Sequence, residues 1–291
     1  MPEFSIVIPC YNGAKFLPMA LDSVLSQEGG AEVEVIVVDD GSRDGSAEVA
    51  AGYPGVTVLR QANAGVSVAR NLGIERASGR FLVFLDADDA LRPGMLAAAQ
   101  RAIAQEPDID VFHGVADVVD ADARQVIGEY GGRDLSDDAF HSLLRSNDGP
   151  PNTFVVRREA VVRAGAFDAR LRACEDWDLW LLIAANGARF RLVPQLRAVY
   201  RVTPGSLSKN VEYMWRGGRI VMRRTRCLRP GCALCRKARA EGLAGLALSM
   251  RPLLRDIVKS PGGVARASKL LLRNPSLLGW QLYWQARRSF G

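Results

Sequence analysis

The stretch Phe81-Leu82-Val83-Phe84-Leu85-Asp86-Ala87-Asp88-Asp89 passes from an apolar run directly into carboxylates. An apolar run without polar alternation predicts a strand covered on both faces, as in the parallel sheet of an α/β protein. Such sheets bind ligands beyond the carboxyl ends of their strands, which is where these acids fall. Asp86 and Asp88 are separated by one residue, so continued extended backbone would point both side chains the same way and let them share a hard divalent cation through oxygen. Acids this crowded resist joint ionisation unless a cation or open solvent compensates them. The alternative reading is a solvated strand-to-helix turn, with Asp89 as an N-cap ahead of Arg92-Pro93-Gly94.

The same pattern recurs toward the N-terminus. Residues 4–8 read as a short apolar strand that runs into Pro9-Cys10-Tyr11-Asn12-Gly13, a turn rich in breakers. A helix over residues 14–27 follows, with Phe16, Leu17, Ala20, Leu21, Val24 and Leu25 on one stripe. Residues 33–38 form a second buried strand ending in Asp39-Asp40-Gly41-Ser42-Arg43-Asp44, where Ser42 or Asp44 can cap the next helix. Residues 56–59 give a third strand, and residues 61–74 begin as a loop and become a helix carrying Arg70 and Asn71. Strands alternating with helices at this spacing predict right-handed crossovers and a parallel, Rossmann-like sheet. The loops after the strands then fall on one sheet edge, a convergence that a nucleotide site needs.

Past a helix at residues 95–105, residues 110–115 and 125–129 read as strands around Asp120-Ala121-Asp122, and residues 152–156 as another, ending at Arg157-Arg158. Gly165-Ala166-Phe167-Asp168 leads on to Cys174-Glu175-Asp176-Trp177-Asp178-Leu179-Trp180-Leu181-Leu182-Ile183, with acids at the entry of an aromatic-rich amphipathic helix. Acids there can complement the helix macrodipole. Asp176, beside indoles, is also where burial can lift a carboxyl pKa enough for it to act as a base.

Composition sets the frame for these motifs. At 48% hydrophobic and 24% charged, the 291 residues are ordinary globular material, which excludes a disordered chain and fits one large α/β domain with an appendage. The first ten residues lack the basic start and long apolar segment of an export signal. No run approaches the roughly 18 apolar residues of a membrane span, so a cytoplasmic location is expected. Five cysteines, an odd number in a chain of this size, predict reduced thiols. Charge is uneven: residues 201–291 carry 19 Lys and Arg against 3 Asp and Glu, a net +16, leaving a net −10 for residues 1–200. So basic a tail favours anionic partners.

Taken together, the motifs resemble the family 2 glycosyltransferases, inverting enzymes with the GT-A fold. The matching pieces run in the family's order over residues 4–208: Pro9-Cys10-Tyr11-Asn12, Val38-Asp39-Asp40-Gly41-Ser42-Arg43-Asp44, Asn63-Ala64-Gly65 with Ala69-Arg70-Asn71, Phe84-Leu85-Asp86-Ala87-Asp88-Asp89, and Glu175-Asp176. Each is short, and their coincidence in order makes the resemblance specific. It implies a Rossmann-like α/β fold with a mixed central sheet over residues 1–208, a nucleotide-binding half over residues 1–90, an acceptor half over residues 91–208, and a basic helical extension over residues 209–291.

The resemblance also implies roles. Pro9, Tyr11, Asn12, Asp39 and Asp40 would hold the nucleoside of a nucleotide-sugar donor, and Arg70 would sit near the nucleotide. Asp86 and Asp88 resemble the family's D-x-D. Asp86 would contact ribose or sugar, and Asp88, with Asp86, would hold Mg²⁺ or Mn²⁺ between the phosphates. Asp176 matches the base that deprotonates a hydroxyl of a glycan or lipid-linked acceptor, with Glu175 supporting it. Many relatives carry a histidine shortly after a Tyr-Arg pair, whereas Tyr200-Arg201-Val202-Thr203-Pro204 places Thr203 there. The remaining histidines, His113 and His141, sit in no ligand spacing and read as structural. A sugar nucleotidyltransferase would need a glycine-rich basic loop after the first strand, which residues 9–13 do not supply. A sugar-nucleotide-binding protein without turnover is the non-enzymatic reading, against which Asp86, Asp88 and Asp176 argue.

Beyond residue 208 the resemblance fades. Cys227-Leu228-Arg229-Pro230-Gly231-Cys232-Ala233-Leu234-Cys235 offers three thiols at spacings that can hold zinc, but with no fourth ligand nearby they read as unligated thiols or a redox-labile pair. From residue 243 onward apolar residues alternate with Arg and Lys, ending near Trp280, Tyr283 and Trp284. That pattern fits peripheral attachment to the cytoplasmic face of an anionic membrane. Helices packed on the catalytic domain with solvated arginines are the alternative. Nucleic acid ranks third, because no recognised binding motif accompanies the charge.

Overall fold

β1 (Phe4–Cys10), β2 (Val33–Asp39), β3 (Val56–Arg60) and β4 (Phe81–Phe84) alternate with α1 (Leu17–Leu25), α2 (Ser46–Ala51) and α3 (Val66–Arg76). The strands run parallel in the order β3-β2-β1-β4. β1 and β4 are buried at every position, as apolar strands flanked by helices must be. The chain returns from β3 past β1 to β4, so the topological switch of this sheet lies between β1 and β4, where open α/β sheets form their ligand crevice.

This architecture comes from a computed structural model, which describes residues 2–203, 206–228, 231–277 and 279, apart from the side chains of residues 226–228. Trp280, Tyr283, Trp284 and the side chain of Cys227 lie outside the described residues. Two compact units are present, residues 1–140 with 147–203, and residues 141–146 with 204–291.

In the first unit the chain continues through β5 (Ala90–Leu91), α4 (Met95–Gln105), β6 (Val111–Val119) and β7 (Val126–Gly131) to α5 (Ala139–Arg145), whose residues from His141 onward belong to the second unit. β8 (Phe154–Arg157), α6 (Arg158–Ala164), α7 (Glu175–Ala185) and β9 (Phe190–Arg201) follow. β8 runs antiparallel to both β4 and β6, β9 runs parallel to β6, and β7 and β5 pair antiparallel with β6 and β9. The sheet is therefore mixed. The all-parallel pattern stops at β4, because β8 enters the sheet between β4 and β6 from the opposite direction.

Several boundaries differ from the sequence expectation for local reasons. α1 starts at Leu17 rather than near residue 14, because the Phe16 and Leu17 N–H groups turn back onto the Gly13 carbonyl and Pro18 sits in the first turn, where its missing N–H costs nothing. β6 runs on to Val119, and its register against β9 shifts between His113 and Val115. Gly114 permits that shift, since a Cβ there would lie 1.8 Å from the Leu196 carbonyl oxygen. α7 is not amphipathic but embedded, with Trp177, Asp178, Leu179, Trp180, Leu181, Ile183 and Ala184 all buried.

The second unit is helical: α8 (Val211–Leu228), α9 (Ala233–Lys259) and α10 (Gly263–Arg273). Trp215 is fully buried there with Val211, Ala247, Met250 and Leu277, and its indole N–H donates to Ser276 Oγ at 3.3 Å. The apolar residues that alternate with Arg and Lys thus build a core of their own. No described helix is long and apolar enough to cross a membrane.

Candidate active site

The loops leaving β1 and β2 are laced together. Asn12 takes a left-handed φ of +51°, donates its N–H to Ser42 Oγ (2.9 Å) and accepts the Arg43 N–H on Oδ1 (2.9 Å). Gly13 N–H donates to Ser46 Oγ and Ala14 N–H to Asp44 Oδ2, each at 3.0 Å. Pro9 lies in β1 opposite Val38, and Tyr11 beyond it is 55% exposed. Gly41 has φ +78°, and a Cβ there would meet the Asn63 nitrogen at 2.9 Å. Only glycine lets the loop after β2 lie against the loop after β3 without strain.

The adjacent acids do different work. Asp40 is held by three donors: Gln61 Nε2 (2.7 Å) and Ala64 N–H (2.8 Å) donate to Oδ1, and Gly65 N–H (2.8 Å) to Oδ2. Its carboxylate organises the entry to α3. Asp39 accepts the Ser42 N–H on Oδ1 at 3.0 Å, while its buried Oδ2 has no hydrogen bond, although Arg60 Nε is 3.3 Å away. That oxygen is an acceptor already stripped of water, so a ligand N–H or O–H reaching it would offset a desolvation cost the fold already carries.

α3 delivers Arg70, 2% exposed, to the carboxyl end of β4. One terminal nitrogen donates to Asp86 Oδ1 at 2.5 Å and the other to Glu175 Oε1 at 2.8 Å. Its guanidinium lies 5.2 Å from the centroid of the Phe167 ring, which packs edge-on against Phe84. The neighbouring Asn71 grips the Phe167 backbone, donating to its carbonyl and accepting from its N–H at 2.9 Å each. A single guanidinium thus ties the acids after β4 to the start of α7.

The extended backbone on which Asp86 and Asp88 were expected to share a side does not continue through them. β4 ends at Phe84, and the Asp89 N–H closes a turn on the Asp86 carbonyl at 3.0 Å. Asp89 is buried and does not cap a helix, since α4 begins after Gly94. It accepts Asn152 Nδ2 (3.0 Å) and the Arg201 N–H (2.8 Å), while Arg201 Nε donates to the Asp88 carbonyl (2.8 Å). Burial, followed by the charges of Asp86 and Asp88, holds the Asp89 carboxyl well above the usual range. Asp88 is half-buried, and burial followed by the Asp86 charge pushes its carboxyl up to about 6.

At the head of α7, Cys174 takes a left-handed φ of +63°, and the half-buried Asp176 follows Glu175. Asn147 Nδ2 donates to Asp176 Oδ2 at 2.9 Å and the Trp177 N–H to Oδ1 at 2.7 Å. Burial first, then the Glu175 charge, lifts the Asp176 carboxyl to about 7, against the lowering effect of the Trp177 N–H, Arg70 and Asn147. The hydroxyl of Tyr130 is also pushed up, by burial and then by Asp176, which places that phenol in the electrostatic reach of the acid. His113 is buried between the rings of Phe154 and Phe190.

The fold therefore gathers Pro9, Tyr11, Asn12, Asp39, Arg70, Asp86, Asp88, Glu175 and Asp176 around the carboxyl ends of β1, β2 and β4 and the head of α7. Asn147, Asn152, Phe167 and Arg201 help hold the site in place; Asn147 carried no signal in the sequence, and the other three lay in stretches noted for other reasons. The family model described as glycosyl transferase family 2 matches residues 5–171. The chain belongs to glycosyl transferase family 2.

Glu175 and Asp176 lie just beyond the matched span. Among glycosyltransferase relatives, the succinoglycan biosynthesis protein ExoO of Rhizobium meliloti is 33% identical over 223 residues, covering 72% of this chain and 63% of ExoO. The chain spans less than two thirds of the length of the curated relatives it matches. Among solved structures, Staphylococcus aureus TarS 1–349 in complex with UDP-GlcNAc superposes with a TM-score of 0.70 at 19% identity, covering 99% of this chain and 92% of that one. The mannosyltransferase PcManGT of Pyrobaculum calidifontis, in complex with GDP-Man and Mn²⁺, gives 0.62 at 18% identity, covering 96% and 83%. These glycosyltransferases share the mixed-sheet GT-A fold found here.

Proposed function

We propose that this chain moves a sugar from a nucleotide-diphosphate donor to a hydroxyl of a glycan or lipid-linked acceptor, with inversion at the anomeric carbon, in the synthesis of a cell-envelope polysaccharide. The observation that carries the reading is the bridge by which Arg70 joins Asp86 to Glu175, since it couples the acid turn at the sheet's ligand crevice to the helix bearing Asp176. The UDP-GlcNAc of TarS and the GDP-Man of PcManGT support a nucleotide-sugar donor in this fold. The succinoglycan role named for ExoO supports the polysaccharide context.

In this reading the nucleoside lies against Pro9, Tyr11 and Asn12, with an N–H or O–H of the nucleoside donating to Asp39 Oδ2. Asp40 contributes through the loop it organises. Asp86, fixed by Arg70, faces the ribose or sugar. Asp176 takes the proton of the acceptor hydroxyl, whose oxygen then attacks the anomeric carbon on the face opposite the departing diphosphate. A single in-line displacement inverts that centre. Glu175, anchored by Arg70, keeps the head of α7 in place and raises the basicity of Asp176 through its charge.

The donor set suits a divalent cation: Asp88 is a half-buried carboxyl whose pKa is raised by burial and then by its acidic neighbour Asp86, and a bound cation relieves the crowding of negative charge. Asp88, with Asp86, would hold Mg²⁺ or Mn²⁺, which neutralises the charge on the departing diphosphate. Asp88→Ala is expected to weaken nucleotide binding in Mn²⁺ by at least about tenfold, about 1.4 kcal/mol, and to leave the metal-free affinity unchanged. Calorimetric titration of the donor with and without Mn²⁺ reads this directly, and equal metal dependence in both proteins would remove Asp88 from the site.

The acceptor chemistry and the net +16 of residues 201–291 support action at the cytoplasmic face of a membrane, with the chain attached peripherally. The full chain should sediment with vesicles rich in anionic lipid and leave them as salt is raised. Equal retention on zwitterionic vesicles would contradict an electrostatic attachment.

A further inference from the structure

The second unit carries a cluster that the proposed transferase does not use. His141 of α5 and Cys235 of α9 are buried, and Cys232 immediately precedes α9 as its N-cap. His141 Nε2 lies 3.2 Å from Cys235 Sγ and 3.7 Å from Cys232 Sγ, and the three donor atoms fall within 4.8 Å of one another. Gly231, at φ +79°, turns the chain into Cys232. The Cys235 N–H then donates to Cys232 Sγ at 3.3 Å.

We propose that His141, Cys232 and Cys235 bind one zinc ion, with solvent as the fourth ligand, in a site that staples residues 141–146 to the head of α9. The spacing fits the metal. With Zn–S near 2.3 Å and Zn–N near 2.0 Å, tetrahedral geometry puts sulfur and nitrogen about 3.5 Å apart, between the two separations found. The chemistry fits as well. Two thiolates and an imidazole form a soft donor set that takes zinc in preference to Mg²⁺ or Mn²⁺, so this site is distinct in kind from the carboxylates of Asp86 and Asp88. Binding releases the two thiol protons to solvent, and the core of Zn²⁺ with two thiolates and a neutral imidazole carries no net charge. Nε2 is the ligating nitrogen, which leaves the ring proton on Nδ1. The backbone N–H on Cys232 Sγ is the kind of supporting contact that orients a metal-bound thiolate.

The test is metal analysis of the full chain, purified without chelator. About one zinc per chain is expected, lost in the Cys232→Ser/Cys235→Ser double variant and reduced in His141→Ala. Since those variants can lose zinc by misfolding, cobalt replacement in the unmodified chain supplies the second measurement. Co²⁺ should give an intense thiolate-to-metal absorption with visible tetrahedral bands, and Mn²⁺ in excess should not displace it. A chain that holds no zinc, with Cys232 and Cys235 joined in a disulfide, would overturn the proposal. So would a bound cobalt lacking thiolate absorption.

Discussion

Asp176→Asn is expected to lower the rate of transfer by about 10²- to 10⁴-fold, the usual contribution of a positioned general base, while donor binding stays intact. The amide keeps the size of the side chain and its one oxygen can still accept the Trp177 N–H, while the contact with Asn147 Nδ2, itself a donor, is lost. What it loses is the ability to accept a proton. The raised pKa of Asp176 adds a second readout. Burial and the Glu175 charge lift it to about 7, so below that pH the carboxyl is already protonated and cannot serve as a base. In the unmodified chain kcat/KM should therefore fall as pH drops through about 7 and level off above it. In Asp176→Asn that limb should vanish together with most of the activity. Nucleoside diphosphate release, followed across pH in both proteins, checks both effects, and unchanged turnover in the variant would remove Asp176 from the role.

Arg70→Ala should have the largest effect on stability. The guanidinium is 2% exposed and holds two carboxylates at once, so its loss leaves Asp86 and Glu175 facing each other without a counter-charge. Breaking a buried pair by removing one partner typically costs about 3–5 kcal/mol. Asp86 is 31% exposed and Glu175 12%, which puts the expected loss toward the lower end. For a unit of this size that corresponds to a fall in melting temperature of roughly 10 °C. Arg70→Lys should recover only part of it, since one ammonium cannot reproduce a planar fork that sends separate nitrogens to separate acids. Calorimetry of the three proteins settles the order. An Arg70→Ala variant as stable as the unmodified chain would mean that the bridge does not organise the site.

The difference between what the sequence disclosed and what it hid is one of range. Apolar strands that end in acids can be read residue by residue, and β1, β2 and β4 form where those runs lie. The purpose of the acids cannot be read that way. Asp40 is taken up by a loop 21 to 25 residues on, and nothing in the motif distinguishes it from Asp39, whose buried Oδ2 accepts no hydrogen bond and is paired only with the Arg60 charge at 3.3 Å. Asp86 and Asp88 looked equivalent under a two-residue alternation, yet both lie in a turn and Arg70 claims one. The partners that fix the site come from far away in the chain: Glu175 is 105 residues from Arg70, and Arg201 is 112 from Asp89. His141 stands 94 residues from Cys235, so no spacing rule could have joined it to the thiols. The mixed sheet was legible through the family resemblance and not through the local pattern. Local alternation predicts parallel strands as far as β4, but the insertion of β8 between β4 and β6 is a tertiary choice.

The central claim, that the crevice at the carboxyl ends of β1, β2 and β4 holds a nucleotide-sugar diphosphate with a divalent metal, is tested most directly by thermal shift of the full chain against UDP-, GDP- and dTDP-sugars, with Mn²⁺ and with chelator. A ligand that binds only the folded state raises the melting temperature. At least one donor should do so in Mn²⁺, lose most of the shift when the metal is chelated, and lose it in Asp39→Ala, where the proposed carboxylate acceptor is gone. A panel in which no nucleotide sugar shifts the transition, or in which the shift survives both chelation and Asp39→Ala, would contradict the account.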